Sequence, residues 1–336
     1  MSKIHDLLPW LESGWSQLRQ YIQQKRIPQA LLIVGNTGIG KQQLAEHFTQ
    51  TIMCSRLFSE GLSNGSFCGE CQSCRLFEAQ THPDFIFIQP EEVGKAIGIS
   101  VIRELVVKLS LKPQFEAYRV VIINPADALN NAAANAFLKY LEEPTERTCL
   151  ILITNKPSKL PATIKSRCQK LLLSISDEFD SSEWLEQQGV IGQRDLLLSL
   201  SRNAPLLAKQ FSDTSLLTLR TDCFNNWVNI GKSKTDFIVV AEQWYKLDKT
   251  EIDMLIFWVI SWVIDIMKLA YKSELTALYN PDLVVDLQEL AHKLDLKCLF
   301  KYYDFLLLKQ KQLDTQLNKQ LMFEEILIQW LQLNTR

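Results

Sequence analysis

The stretch Ala30-Leu-Leu-Ile-Val-Gly-Asn-Thr-Gly-Ile-Gly-Lys-Gln42 decides the fold. Ala30–Val34 is an apolar run of strand length, and it delivers the chain into glycines at 35, 38 and 40 followed by Lys41. This is the G-x-x-x-x-G-K frame of a phosphate-binding loop. The glycines let backbone N–H groups curl around phosphates, and the lysine reaches the β/γ-oxygens. The motif ends in a Ser or Thr hydroxyl that ligates Mg²⁺; here the position is Gln42. A carboxamide is longer than a hydroxyl and does not fit the short octahedral shell without moving the ion. Gln42–Gln50 is helix-compatible, so strand, loop and helix follow in the order the motif needs. Gly35, Gly38, Gly40 and Lys41 are therefore the cofactor-binding candidates of a degenerate loop.

Outward from this stretch, strand-like and helix-like segments alternate, the pattern of a parallel α/β sheet. Asp84–Gln89 predicts a second strand, after which Ser100 caps a helix carrying Val101, Ile102, Leu105, Val106 and Leu109. Arg119–Ile123 predicts the third strand, followed by a helix over Ala132–Glu143 that Pro144 stops. Thr148–Thr154 and Gln169–Ser174 complete the set. The near-continuous Ile/Leu/Val runs fit strands covered on both faces. Beyond about residue 175 the strand signal ends: 177–208 reads as a small helical unit and 209–336 as a longer all-helical one.

A hydrolysing site of this kind needs a second acidic strand: an apolar run, an Asp that holds Mg²⁺ and a Glu that activates water. The strand is present at Val120–Ile123, but Asn124 and Pro125 follow it. Metal ligand and general base are both absent, and Asp127 reads as part of the turn before the next helix. Hydrolysis is expected to be negligible. Nucleotide binding is a separate matter, since Lys41 and the loop amides remain; the loop reads as inherited and empty.

Cys54, Cys68, Cys71 and Cys74 cluster, whereas Cys149, Cys168, Cys223 and Cys298 are scattered. Four thiolates close a tetrahedral shell around Zn²⁺, the Cys-x-x-Cys steps supply tight turns, and Gly69 eases the backbone. An iron–sulfur cluster is the competing reading, but ferredoxin motifs continue with x3-Cys-Pro and Arg75–Glu78 holds no cysteine. A filled shell has no open position, so the role is structural.

The 336 residues suit two or three domains, and a net charge of −2 argues against a chain that coats nucleic acid by bulk electrostatics. Met1–Asp6 lacks the apolar stretch of a secretory signal. The most membrane-like segment, Met254–Ile264, is bracketed by Asp253 and Asp265 and falls short of the ~20 residues that span a bilayer. A buried core helix in a cytoplasmic protein is expected, with no membrane partner.

Ile27-Pro-Gln-Ala-Leu-Leu-Ile-Val-Gly35, the cysteine insert, Thr81-His-Pro-Asp84, Ala132–Pro144 ending Leu-Glu-Glu-Pro, and Ser166-Arg-Cys168 resemble the subunits of the bacterial DNA polymerase III clamp loader, which are AAA+ proteins. The resemblance is close over residues 1–175 and rests on length and helicity beyond them. It implies an α/β P-loop AAA+ domain (a RecA-like parallel sheet) over 1–170 with a zinc-binding insert at 54–74. A small helical lid at 171–208 and an all-α collar at 209–336 follow. Active gamma/tau ATPase subunits carry Lys-Thr/Ser in the loop and Asp-Glu on the second strand. This chain departs at both, and Leu206 stands where their lid arginine would be. The resemblance therefore implies a ring member without ATPase activity of its own, within a DNA-directed DNA polymerase holoenzyme. Its expected partners are the gamma/tau and delta subunits, the beta sliding clamp and primed DNA.

In this family the Ser-Arg-Cys arginine points into the neighbour's ATP site, which makes Arg167 the candidate catalytic residue, acting in trans. An arginine finger is worth ~10³–10⁵ in rate. The bland alternative is that Arg167 pairs with a local carboxylate. Thr154 and Asn155 stand where relatives sense the γ-phosphate, with loop ordering an equal reading. Lys139, Lys156, Lys159 and Lys165 are candidates to face DNA, and His82 reads as structural. Leu317–Trp330 offers a broad apolar helix face for oligomerisation. The rival functions are an active AAA+ clamp-loader ATPase and a zinc-dependent DNA-binding module.

Overall fold

Five apolar runs become strands: Ala30–Val34 (β1), Phe85–Ile88 (β2), Arg119–Ile123 (β3), Thr148–Thr154 (β4) and Gln169–Leu172 (β5). All pair in parallel, in the order β2-β3-β4-β1-β5, so β1 is flanked by β4 and β5. Leu32 lies level with Leu152 on one side and Lys170 on the other. The structure is a computed structural model that describes residues 7–60, 66–92, 94–143, 145–176, 179–271, 278–313 and 318–335. It resolves into two compact units, Met1–Phe179 and Asp180–Arg336.

Parallel strands need crossover connections, and helices supply them on both faces. The first unit holds α1 (Glu12–Gln23), α2 (Lys41–Met53), α3 (Ser55–Glu60), α4 (Gln72–Glu78), α5 (Ile99–Ser110), α6 (Asn131–Glu142) and α7 (Ala162–Lys165). Side chains alternate across the sheet. Leu32, Val121, Ile123, Leu150 and Leu152 share a buried cluster with Ile102 and Leu105 of α5 and Phe137 of α6. On α2, which packs against β1, β3 and β4, Leu44, Phe48 and Ile52 are wholly buried. β3 and β4 are buried along their whole length, as their unbroken apolar runs predict. β5, at the edge, buries only Leu171.

One cap differs from expectation. α5 starts at Ile99 with Gly98 as its N-cap and no side-chain cap, so Ser100 lies inside the helix. The cause is tertiary: Ile97 forms a bridge with Leu129, and its backbone bonds to Ala128 and Asn130 fix the chain just ahead of the helix. α6 begins one residue early because Asn130 accepts from the Ala133 N–H as its N-cap. It ends at Glu142, and Pro144, its expected stop, lies outside the described residues.

A buried ion pair locks the start of β2 to β3. Asp84 and Arg119 are 1% and 4% exposed, and the guanidinium donates to Asp84 Oδ1 from Nε at 3.3 Å and from Nη2 at 3.2 Å. The other carboxylate oxygen accepts the N–H groups of Gln114 and Phe115, both at 2.8 Å. Removing one partner of such a pair costs about 3–5 kcal/mol, because the other is left buried and charged.

The second unit is helical in its described residues: α8 (Ser181–Gln187), α9 (Arg194–Leu200), α10 (Pro205–Ser212), α11 (Leu216–Gly231), α12 (Phe237–Tyr245), α13 (Lys249–Ala270), α14 (Val284–Lys293), α15 (Leu296–Gln312) and α16 (Lys319–Asn334). Trp227 of α11 and Trp330 of α16 stack with centroids 3.7 Å apart, and Trp330 Nε1 donates to the Trp227 carbonyl. Buried Arg220 forks onto Asp282 and donates to Asn280 Oδ1. Asn280 in turn donates to buried Asp265, so a polar chain crosses the unit. α13 buries most of the Met254–Ile264 segment. Among the described residues no helix is long and apolar enough to cross a membrane. One expectation is corrected. The apolar face of α16 is consumed by the unit's own core: Phe323, Ile326, Leu327 and Trp330 are fully buried, and Leu321 alone among its large apolar residues is exposed.

Candidate functional site

The phosphate-loop residues fall where the sequence puts them, between the end of β1 and the start of α2. Gly38 and Gly40 have φ of 79° and 84°, the left-handed region that favours glycine. Gly35 is held by space instead. A Cβ there would lie 2.5 Å from Ile39 Cδ1 and 2.7 Å from the Leu173 carbonyl oxygen. The loop is pinned from outside by Trp10, whose Nε1 donates to the Ile39 carbonyl at 3.0 Å. Lys41 turns inward: it is 6% exposed, and its Nζ donates to the Asn36 carbonyl across the loop. Burial pushes its pKa down to about 8, against a smaller opposing pull from Asp127.

Gln42 and Asn124 occupy the two positions that carry the metal ligands in a hydrolysing site. The fold brings them together although they are far apart in sequence: Asn124 Nδ2 donates to Gln42 Oε1 at 2.8 Å. The Gln42 amide donates onward to Glu46 Oε1, also at 2.8 Å. Two neutral carboxamides joined by one hydrogen bond stand where a hydroxyl and a carboxylate would share a dication. Neighbouring Asp127 lies in a short 3₁₀ turn, Ala126–Ala128, and accepts from the Thr154 hydroxyl at 2.5 Å. Thr154 Oγ1 then accepts the Lys156 N–H at 3.0 Å, so the end of β4 is ordered by a local bond chain.

Cys54, Cys68, Cys71 and Cys74 come together, with all four Sγ atoms within 4.8 Å of one another. Cys54 Sγ lies 3.6 Å from Cys68 Sγ and 4.0 Å from Cys71 Sγ. A tetrahedral zinc shell with Zn–S of about 2.3 Å has edges of about 3.8 Å, so the donor set fits. The backbone helps: the N–H groups of Cys68, Cys71 and Cys74 point at cysteine sulfurs at 3.4–3.5 Å, which favours thiolates. Cys71 is also the N-cap of α4. A hydrogen bond with Cys74 brings the Cys54 thiol down to about 4 and pushes the Cys74 thiol up. Gly69, with φ of 74°, makes the turn between the first two ligands of the triplet. His82 stays apart. Its Nδ1 accepts the Asp84 N–H, so Nε2 carries the proton toward Ser73 Oγ, 2.9 Å away.

Arg167 follows α7 and is part-exposed on the surface. Its Nη2 donates to Glu142 Oε1 at 2.5 Å and its Nη1 to the Thr163 carbonyl at 3.0 Å. Cys168 beside it is buried in the sheet cluster, and burial lifts its thiol to about 11, as expected of a packing residue. Leu206 lies on α10, half-buried. The sequence reading missed the Gln42–Asn124 bond; the carboxylate partner it offered as the alternative for Arg167 is present as Glu142, whose identity it did not name. Neither has a local signal, because each joins residues distant along the chain.

Comparison with known proteins agrees. The family model described as "DNA polymerase III, delta subunit" matches residues 10–176, and that of "DNA polymerase III, delta subunit, C terminal" matches 214–332. The DNA polymerase III subunit delta' of Pseudomonas aeruginosa is 33% identical over 330 residues, 97% of each chain. That of Haemophilus influenzae is 29% identical over 80% of this chain and 79% of its own. The tau/gamma subunit of Haemophilus influenzae is 33% identical over 49% of this chain and 23% of its own. With its strand order, its phosphate loop and a relative matched from end to end, the chain belongs to the DNA polymerase III delta' subunit family.

Proposed function

We propose that this chain is a non-hydrolysing AAA+ stator of the DNA polymerase III clamp loader. It would sit in a hetero-pentameric ring with tau/gamma ATPase subunits and the delta subunit, and help load the beta sliding clamp onto primed DNA. Residues 1–170 would form the ring's AAA+ domain, 171–208 its lid and 209–336 the collar. The proposed setting is the cytoplasm. The observation that carries the non-hydrolysing reading is the Gln42–Asn124 bond: carboxamides stand at both expected metal-ligand positions, and Pro125 stands at the expected general-base position. Exposed Ile238 and Val239 of α12 and Phe300 and Leu308 of α15 support a collar contact.

The cysteine cluster is assigned to a structural zinc ion held by Cys54, Cys68, Cys71 and Cys74. Bound there, zinc would cross-link the end of α2 to α4 and supply no reaction chemistry. Arg167 would act outward as the arginine finger of the adjacent ATPase, stabilising charge on the transferring phosphoryl group. Its exposure on the surface and the Ser166-Arg-Cys168 context support the assignment.

Reconstitution with tau/gamma and delta tests the reading. The isolated chain is expected to show only background ATP turnover, unchanged by Lys41→Ala. The ring built with Arg167→Ala is expected to assemble normally but to turn over ATP and load clamps more slowly. Lys41-dependent turnover by the isolated chain would overturn the stator role, and unchanged loading with Arg167→Ala would remove the finger.

A further inference from the structure

We infer that Glu142 is the positioning residue for Arg167, holding its guanidinium in place at the subunit surface before a neighbour's nucleotide arrives. The inference rests on the finger reading of Arg167 and adds to it the residue that aims the finger.

The backbone at Arg167 is already fixed. Cys168 is buried in the sheet cluster, Arg167 N–H donates to the Ile164 carbonyl at 3.1 Å, and Ser166 caps α7. The side chain is a different matter. An arginine carries about 2 kcal/mol of rotamer freedom, and a finger that searches its rotamers is poorly placed for catalysis. Two contacts restrict it here. Glu142 closes α6 and the Thr163 carbonyl belongs to α7, so one guanidinium is tethered to two helices. Glu142 also puts a negative charge at the negative end of α6, which is unfavourable for the helix by itself and favourable once a cation sits beside it.

The stoichiometry separates positioning from sequestration. A guanidinium has five N–H donors. Glu142 and Thr163 take one each among the described residues. Three donors are left for a phosphoryl group, and the Arg167 side chain stays 36% exposed. The pair is monodentate, one nitrogen to one oxygen, so the carboxylate steers the fork without occupying it. A surface ion pair of this kind contributes little to folding. That lets its loss be read in catalysis without loss of the fold.

The test uses the complete reconstituted ring carrying Glu142→Ala, Glu142→Gln, Arg167→Ala or the Glu142→Ala/Arg167→Ala pair, with ATP turnover and clamp loading measured on each. Glu142→Ala is expected to lower kcat about threefold with KM for ATP within about twofold, since orientation is lost and binding is not. Glu142→Gln keeps an acceptor oxygen and is expected to recover part of that loss. The double variant is expected to be no slower than Arg167→Ala alone, because both act through one guanidinium. Assembly and thermal unfolding serve as controls and should match wild type.

The inference would be overturned by turnover unchanged by Glu142→Ala, or by turnover raised by it, which would mean the carboxylate competes with the phosphoryl group. An additive double variant would overturn it as well. If Arg167→Ala itself is silent, the finger reading fails and this inference with it. If Arg167→Ala slows the ring and Glu142→Ala does not, only the positioning role fails.

Discussion

Lys41 illustrates how burial changes a residue that has kept its place in a motif. It is buried and bonded to the Asn36 carbonyl, with its pKa brought down to about 8 by burial. The linkage sign follows from that depression. Between pH 8 and the ordinary lysine value of 10.5, the unfolded chain keeps a proton that the folded chain has released. Stability therefore rises with pH through that window. Lys41→Met keeps the volume and removes the proton. The wild-type chain should gain stability relative to Lys41→Met as pH rises from 8 to 10.5, read from urea unfolding at several pH values. A difference that stays constant across the window would refute the buried-lysine account.

Among the elements, the insert between α2 and β2 is the one where a bound metal is expected to matter most. α3 and α4 are short, six and seven residues, and well below the length at which an isolated helix is stable. Four sulfurs gathered within 4.8 Å supply the missing constraint once a metal joins them. The purified chain should carry about one zinc per molecule by elemental analysis. Cys71→Ser keeps an N-cap acceptor for α4 but removes one thiolate, so it should lose that zinc, lowering stability by at least about 2 kcal/mol, or roughly 4–8 °C in melting temperature. Iron in place of zinc would favour the cluster alternative. A Cys71→Ser chain as stable as wild type would argue against a structural metal.

At the scale of the whole molecule, the two units hold separate cores. The sheet unit is built on parallel strands and the helical unit on a cluster in which Trp227 stacks on Trp330 and Trp262 packs tilted against Trp227. A compact unit with its own core is expected to fold alone. Residues 180–336 expressed by themselves should give a helical far-ultraviolet spectrum, a near-ultraviolet tryptophan signal from the stacked pair, and one cooperative unfolding transition. A fragment with helical content but no near-ultraviolet signal would show that the tryptophan stack needs the rest of the chain.

β1 to β4 were legible because each is dominated by a short apolar run. The sequence was enough for β1, β3 and β4 to the residue, the loop glycines and the cysteine spacing, since all are local patterns in a one-dimensional string. It also carried the replacement of both expected metal-ligand positions by carboxamides, Gln42 and Asn124. Tertiary structure alone decided what those side chains meet. Gln42 meets Asn124, Arg167 meets Glu142 and Asp84 meets Arg119 only after strands distant in sequence pair. The start of α5 likewise follows from the Ile97–Leu129 bridge, not from Ser100, and the apolar face of α16 is spent inside its own unit. Hydrogen bonds and burial between distant segments depend on geometry that no local pattern encodes, and at this site such contacts set the orientation of the groups that remain.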